Sequence, residues 1–523
     1  MRVSIYDSTL RDGAQGENMN FSVQDKIAIT KALDEIGIDF IEAGNPFSNP
    51  KDKEFFEASK NLELSHSKIV AFGSTRRANT DVKDDKSVSV MAEVPCEHVA
   101  IFGKSWDLHA TKILNTTLDE NLNMIYDTVK YLTDKGKYVF FDAEHFFDGY
   151  KNNPEYAIET LKTAEKAGAK SIALCDTNGG CFPHEIEEIV KEVCKYISCE
   201  VGIHCHNDSG CAVANTVSAV IGGATSVQGT FIGIGERCGN TCLSTVIPNL
   251  QLKLGYEVIP ESAMKNLTSY ARYIAELSNI TLSDGLSYVG KSAFAHKGGM
   301  HIDGVSKLSK SFEHIDPSEV GNERQFLLSE VSGRTAILSK IKAFLPDIEK
   351  GSPILSDILE MLKIQEQKGF QYEAADASFE LLVKRFLGLI EPFFHIEYFK
   401  VLSEPESERE LSSSAMVKVK VADKSKMAAD EGNGPVNALD KAIRNALAEY
   451  YPDVLPQISL IDYKVRVVDT ASATAAAVRV LIESTDGKDV WTTVGASTDI
   501  INASVKALVD SIEYKLMKSQ EQR

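Results

Sequence analysis

Pro154-Glu-Tyr-Ala-Ile-Glu-Thr-Leu-Lys-Thr-Ala-Glu-Lys-Ala-Gly168, Ser171-Ile-Ala-Leu-Cys-Asp-Thr177, Pro183-His-Glu-Ile-Glu-Glu-Ile-Val-Lys-Glu-Val-Cys-Lys-Tyr196 and Glu200-Val-Gly-Ile-His-Cys-His-Asn-Asp208 follow one another along the chain. The first and third have helical periodicity. Each opens on Pro, favoured at the first helical position, and the first stops at Lys-Ala-Gly. The second and fourth are short apolar runs ending in polar residues, as buried strands do. Helix, strand, helix, strand is the rhythm of a parallel α/β fold.

The same rhythm runs outward from this stretch. Strand-like runs recur at Val3–Asp7, Phe40–Gly44, Lys68–Gly73, His98–Gly103, Tyr138–Glu144 and Ser226–Ile234, with helical stretches at Ser22–Ile36 and Leu118–Asp134. Eight βα units in about 255 residues match a (β/α)8 TIM barrel. A doubly wound open sheet usually has fewer strands per domain. A TIM barrel is therefore expected over residues 1–260. Catalytic groups in such a barrel stand where strands end and βα loops begin. Those ends carry Asp7, Arg11, Asp12, Glu144, Asp176, Thr177, His204, His206, Asn207, Asp208 and Glu236, more than a purely structural rim would need.

Beyond Tyr256 the pattern changes. Residues 261–392 read as helical subdomains, and residues 393–523 as an α+β domain with an internal repeat. In the latter, a Glu-rich exposed connection (Glu404–Glu410) precedes strand-like Met416–Val421, a Gly-rich turn and a helix over Val436–Tyr450. Strand-like Ile458–Val468, Ala476–Ile482 and Val490–Gly495 follow, then a helix over Ile501–Leu516. Pro435-Val-Asn-Ala-Leu-Asp-Lys-Ala-Ile matches Ile500-Ile-Asn-Ala-Ser-Val-Lys-Ala-Leu, placing Ala438 on Ala503 and Lys441 on Lys506. This duplicated unit holds no cysteine and no His/carboxylate cluster, so a regulatory or oligomeric role is expected.

Composition limits the function. The chain has 523 residues, is 43% hydrophobic and 25% charged, and carries a formal charge of −19. Broad binding to nucleic acid or an anionic membrane needs a basic face, which this balance disfavours. No apolar run approaches the roughly 20 residues of a membrane span, and the start enters a strand-like pattern with no signal peptide. Nine cysteines lie between Cys96 and Cys242 without a C-x-x-C pair. Reduced thiols in a cytoplasmic enzyme are expected, not a disulfide scaffold.

His204-Cys205-His206-Asn207-Asp208 is the strongest chemical signal. Residues two apart on a strand share a face, so the imidazoles project together and Cys205 points away. Two neutral imidazoles suit a divalent metal completed by oxygen ligands. The plain alternative is a hydrogen-bonded His pair in a polar loop; Asp12, on another rim loop, favours the metal. Arg11-Asp12 on its own reads as a surface ion pair, but it could also divide two tasks, carboxylate on a cation and guanidinium on a substrate oxygen. Gly233-Ile-Gly-Glu-Arg-Cys-Gly-Asn240 fails as a dinucleotide fingerprint because Cys238 replaces the third glycine. A tight turn aiming Glu236 and Asn240 into a pocket fits better. Asp142 and Glu144 share a strand face as candidate base or metal partner. Thr177 could hold a substrate carboxylate or cap a helix.

Asp7-Ser-Thr-Leu-Arg-Asp-Gly13, His204-Cys-His-Asn-Asp208, Gly235-Glu-Arg-Cys-Gly-Asn240 and Ala293-Phe-Ala-His-Lys-Gly-Gly-Met-His301 together resemble the 2-isopropylmalate, homocitrate and citramalate synthase family. Phe72-Gly-Ser-Thr-Arg-Arg77, Phe141-Asp-Ala-Glu-His-Phe-Phe-Asp-Gly-Tyr150, Glu313-His-Ile-Asp-Pro317 and Val509-Asp-Ser-Ile-Glu-Tyr-Lys515 resemble its citramalate branch. The resemblance covers nearly the whole chain. It implies metal ligands at Asp12, His204, His206 and Asn240, Arg11 polarising a 2-oxo acid, and Thr177 with Glu144 lining its pocket. It further implies that His301 reaches the site from a partner subunit, hence a homodimer, and that the C-terminal domain senses an amino-acid end product. Two departures stand out. Phe312 replaces a Tyr common in the family, leaving a water or His314 to do the work of its hydroxyl, and Asp142 stands where some citramalate synthases have Tyr.

The implied reaction is a Claisen condensation of acetyl-CoA with pyruvate and thioester hydrolysis, giving citramalate and CoA in an isoleucine-forming route, with Mg2+, Mn2+ or Zn2+ as the metal. A proton must leave the acetyl methyl group, for which Glu144 and His301 are the candidate bases. One alternative is a larger acceptor such as 2-oxoisovalerate or 2-oxoglutarate, the latter needing a cation such as Arg76 or Arg77. Others are a lyase on a hydroxyacyl-CoA and a non-catalytic small-molecule sensor.

Overall fold

A computed structural model describes residues 1–327, 334–342, 344–346, 348–349, 352–403, 413–468, 476–487 and 489–521. The Glu404–Glu410 connection lies outside the described residues. Two compact units divide the chain, one of residues 1–294 with 314–324 and one of residues 295–313 with 325–523.

In the first unit eight parallel strands close into a barrel: β1 (Ser4–Asp7), β2 (Phe40–Gly44), β3 (Lys68–Ser74), β4 (His98–Lys104), β5 (Tyr138–Glu144), β6 (Ser171–Asp176), β7 (Glu200–Cys205) and β8 (Ser226–Gly229). Closure comes from β1 against β8, with Ser4 opposite Ser226 and Asp7 opposite Gly229. The connecting helices start and stop on local chemistry. Ser22 and Asp25 form a reciprocal capping box ahead of Val23–Ile36, satisfying two orphan N–H groups. Asn153 caps Pro154–Ala167, which Gly168 ends at φ 111°, a conformation that a side chain would strain.

Alternation along the strands sorts side chains between two cores. Outward residues such as Ile101, Phe141, Ile203 and Cys205 join the large layer under the helices. Inward residues Tyr6, Val70, Ala100 and Phe140 form a separate plug, with Phe140 edge-on to Tyr6 at 5.3 Å and to Phe40 at 4.9 Å. The barrel is therefore filled below its catalytic end. The same alternation turns His204 inward and Cys205 outward.

Two strands end several residues before their sequence pattern predicts. β7 stops at Cys205, and His206 makes an isolated bridge to Asn240. β8 stops at Gly229, because the loop that follows passes through left-handed backbone at Gly233, Gly235, Arg237 and Gly239. Apolar content alone extends a strand past the point where its ladder partners end.

The second unit begins with helices Gly299–Lys307, Arg334–Lys342, Pro353–Gln367 and Asp376–Phe386. Two antiparallel three-stranded sheets follow. His395–Ser403, Ser413–Val421 and Lys424–Gly432 precede helix Pro435–Leu447, and Ser459–Val467, Val478–Thr485 and Val490–Ser497 precede helix Ile500–Glu521. The repeated phrase thus marks two equivalent helices, and its Ala438 and Ala503 are both fully buried. The expected Gly-rich turn lies at Gly432–Gly434, and ahead of it runs an unexpected edge strand, Lys424–Gly432, paired along its length with Ser413–Val421. Its Lys-Ser-Lys-Met-Ala-Ala-Asp-Glu-Gly sequence has no β-branched residue, so its strand character comes from its neighbour and not from propensity. Among the described residues no helix is long and apolar enough to cross a membrane.

Candidate active site

A cavity of about 240 Å3 opens at the carboxyl ends of the barrel strands. Arg11 and Asp12 reach it from the loop after β1, Phe72 from β3, Phe102 from β4, Asp142 and Glu144 from β5, Thr177 from the loop after β6, and His204 and His206 from the end of β7. The Arg11-Asp12 pair is not a surface feature. Asp12 is buried, and Arg11 Nη1 donates to Asp12 Oδ2 at 3.0 Å within the site.

Asp12, His204 and His206 each offer one ligand atom to a common point. Asp12 Oδ2 lies 3.5 Å from His204 Nε2 and 3.9 Å from His206 Nε2, and the two Nε2 atoms are 3.4 Å apart. Atoms so separated share a point about 2.1 Å from each, the length of a bond from a divalent ion to nitrogen or oxygen. Asn240 stands beside them, its Nδ2 donating to Asp12 Oδ1 at 3.0 Å. Its Oδ1 and His206 Nδ1 are buried without a hydrogen-bond partner. Gly235 makes that approach possible, since a Cβ there would fall 2.1 Å from Asn240 Nδ2. One carboxylate, two imidazoles and an adjacent amide fit a divalent cation.

Electrostatics set the protonation states. Burial pushes the Asp12 carboxyl up, but the Arg11 guanidinium and the two imidazoles outweigh it and hold it well below the usual range. Burial and the neighbouring His204 push His206 down to about 4, so its ring is neutral near pH 7. At His204 the contacts with Asp12 overcome burial and raise the imidazole. Burial, reinforced by Glu42, lifts Asp142 to about 6.

Arg11 is fixed from three sides. Its Nε donates to Glu42 Oε2 at 2.5 Å, its Nη1 to Asp12, and its Cζ lies 3.9 Å from the Phe72 ring centroid. Glu42 is fully buried and also accepts from Tyr6 OH at 2.8 Å. Glu144 is paired with Lys104 at the cavity wall. Thr177 caps no helix of its own; its Oγ1 accepts from the His145 N–H at 2.8 Å. Glu236 lines the mouth.

Other rim residues have structural partners. Asp7 accepts from Thr9 N and Oγ1, Asp176 from Gly180 and Cys181 N–H groups, Asn207 from Ala212 N, and Asp208 from Arg237. Arg76 is buried against Glu120 and Asp127, and neither it nor Arg77 lines the cavity. His301 lies on Gly299–Lys307 in the second unit, stacked on Phe312 with ring centroids 4.2 Å apart. His314, in the first unit, stacks on Phe294 and meets Tyr288 edge-on.

Three family profiles match the chain: HMGL-like over residues 2–274, the homocitrate synthase post-HMGL domain over 288–364, and the LeuA allosteric (dimerisation) domain over 373–516. The (R)-citramalate synthase of Aquifex aeolicus is 51% identical over 100% of this chain and 99% of its own length. That of Geobacter sulfurreducens is 49% identical, covering 99% and 98% respectively. A probable 2-isopropylmalate synthase of Methanopyrus kandleri is 32% identical over 98% of both. The chain belongs to the citramalate and 2-isopropylmalate synthase family.

Several residues around this family's barrel site escape a reading of the sequence. Glu42 and Gln228 lie within short strands, where a polar residue carries no local signature of its partners. Phe72 and Phe102, stacked at 5.3 Å, look like ordinary core aromatics until the barrel brings them to one wall. Strand parity, once the barrel is known, is the one signal that could have marked them as inward-facing.

Proposed function

We propose that the chain is an (R)-citramalate synthase, an acyltransferase of the EC 2.3.3 class that condenses acetyl-CoA with pyruvate and hydrolyses the thioester to citramalate and CoA. The observation that carries this reading is a small cavity joining a cation-binding cluster to a partly buried arginine, in a chain half identical to proteins of that name. A divalent ion (Mg2+, Mn2+ or Zn2+) held by Asp12, His204, His206 and Asn240 would polarise the 2-oxo carbonyl and supply counter-charge to its oxygen.

The protein's own groups do the rest. Arg11 uses two of its five N–H groups on Glu42 and Asp12, leaving others for the carbonyl and carboxylate of pyruvate. Thr177 offers its hydroxyl to that carboxylate, and Asp142 borders the same pocket. Phe72 and Phe102 give the cavity an apolar wall that suits a methyl group. A 2-oxoglutarate acceptor would require a cation for its distal carboxylate, and Arg76 and Arg77 are not at the cavity. Glu144 and His301 are the candidate bases for the acetyl methyl proton, and water then cleaves the thioester.

The same reading extends to organisation. Residues 1–260 are the catalytic domain, 261–392 a helical linker, and 393–523 a regulatory and dimerising domain responding to an amino-acid effector, with isoleucine the expected end product. His301 is supplied by the partner of a homodimer, and Phe312 serves it by stacking and not through a hydroxyl. The enzyme works in the cytoplasm in branched-chain amino acid biosynthesis.

A thiol-release assay tests the reading. Acetyl-CoA with a panel of 2-oxo acids should liberate CoA fastest with pyruvate, and a chelator should stop it. Equal release without any acceptor would identify a plain thioesterase.

A further inference from the structure

Among the residues around the barrel's interior, Asp142 and Gln228 form a contact that binding of a 2-oxo acid does not require. Gln228 stands on β8 directly opposite His204 on β7. Both are almost completely buried, as is Asp142 on β5. Gln228 Nε2 donates to Asp142 Oδ1 at 3.1 Å, and Gln228 Oε1 lies 3.0 Å from His204 Nδ1. Beyond the ring, His204 Nε2 faces Asp12 Oδ2.

The chemistry of an amide gives this chain a direction. An ionised carboxylate only accepts, so the NH2 of Gln228 must face Asp142. Its carbonyl oxygen is thereby turned to His204 and has no hydrogen to give, so Nδ1 must carry the proton. In a neutral imidazole this leaves Nε2 with a bare electron pair, pointed at the cation-binding cluster. His206 has no such arrangement, because its Nδ1 is buried without a partner. Only one of the two imidazoles is thus set in advance.

We propose that Asp142 and Gln228 are positioning residues that fix His204 as the Nδ1–H tautomer, so that Nε2 is held ready for a divalent cation. The proposal rests on the metal reading of Asp12, His204 and His206. It gives Asp142, whose carboxylate accepts from Gln228 and not from those three side chains, a role in cation affinity as well as in the substrate pocket. Partners behind a metal-binding histidine typically contribute about 10–100-fold to affinity.

The test is Mn2+ binding to the full-length, metal-stripped chain by calorimetry, in the absence of substrate. Asp142→Leu frees the Gln228 amide to turn over and should weaken Mn2+ about 10–100-fold. Asp142→Asn keeps a side-chain oxygen that can accept from Gln228 Nε2, and should remain near the wild type. Gln228→Met removes the acceptor altogether and should match Asp142→Leu, which keeps the test decisive if the leucine variant fails to fold. In selectively 15N-histidine-labelled, metal-free protein at alkaline pH, His204 should move from the Nδ1–H to the Nε2–H form in Asp142→Leu. Unchanged Mn2+ affinity in both Asp142→Leu and Gln228→Met, or an equal loss in Asp142→Asn, overturns the positioning role while leaving the metal site intact. A wild-type chain whose Mn2+ binding is insensitive to Asp12→Ala overturns the metal reading itself, and the tautomer spectrum separates that failure from one of the relay.

Discussion

Glu42 Oε2 accepts from Arg11 Nε at 2.5 Å in a contact where Glu42 has no solvent exposure. Its other oxygen is taken by Tyr6 OH, so Glu42 has no freedom to follow Arg11 if the arginine moves. The pair therefore sets where the guanidinium points, and Asp12 alone cannot replace it. Glu42→Gln keeps the shape but removes the charge. Breaking a buried ion pair from one side costs about 3–5 kcal/mol, and Asp12 as a second partner should keep the loss at the lower end. The expected result is a raised KM for the 2-oxo acid, a fall in kcat, and a lower melting temperature. Steady-state kinetics with a thermal melt check it; unchanged kinetics would show that Arg11 is placed by Asp12 and Phe72 alone.

Asp12 supplies the only carboxylate among the three clustered ligand groups. Asp12→Ala should abolish both turnover and stoichiometric uptake of divalent metal. The barrel should still fold, because Asp12 sits on the loop after β1 and not in the aromatic plug or the layer under the helices. Circular dichroism, metal analysis and the thiol-release assay together decide the matter. Activity persisting with metal bound would remove Asp12 from the ligand set.

The strand-and-helix rhythm was legible because most barrel strands are short apolar runs that lead into polar residues. His204 and His206 were legible for a related reason, since two imidazoles with one residue between them must share a face on any strand. Glu42 and Gln228 were not. Glu42 is one polar residue inside an apolar run and Gln228 lies in the mixed run Ser226–Thr230, and the partners of both stand on other elements: Arg11 31 residues away for Glu42, His204 24 residues away for Gln228. The edge strand Lys424–Gly432 was hidden for the opposite reason, its polar residues being those of an exposed strand that borrows its order from a neighbour.

Asp7 provides a pH-dependent test away from the metal cluster. Burial, only partly offset by hydrogen bonds from Thr9, lifts its carboxyl to about 7. A carboxyl raised on folding binds its proton more tightly in the native state than in the unfolded chain. Stability must then fall as pH rises, from the unfolded value near 4 up to about 7. The loss integrates to about 4 kcal/mol. Asp7→Asn removes the titration and retains an acceptor for Thr9. Relative to wild type, the variant should gain apparent unfolding free energy progressively between those two pH values and level off above them. Urea melts of both proteins across the range measure the difference directly, which cancels the opposite contribution of His206. A difference independent of pH would place the Asp7 carboxyl near its ordinary value.

Phe102 lines the cavity, stacked against Phe72, which in turn lies under Arg11. Shortening it should enlarge the pocket without touching the cation cluster or the arginine. An added methylene in an apolar pocket is worth about 1–3 kcal/mol of discrimination. Phe102→Ala should therefore lower kcat/KM for pyruvate and raise the ratio of 2-oxobutyrate to pyruvate by about tenfold or more. Phe72→Ala enlarges the same wall but also removes the aromatic face beneath the guanidinium, so it should depress activity toward both acceptors. The two variants thus separate pocket volume from arginine placement. If both shift the acceptor ratio equally and leave kcat alone, the ring under Arg11 contributes only space.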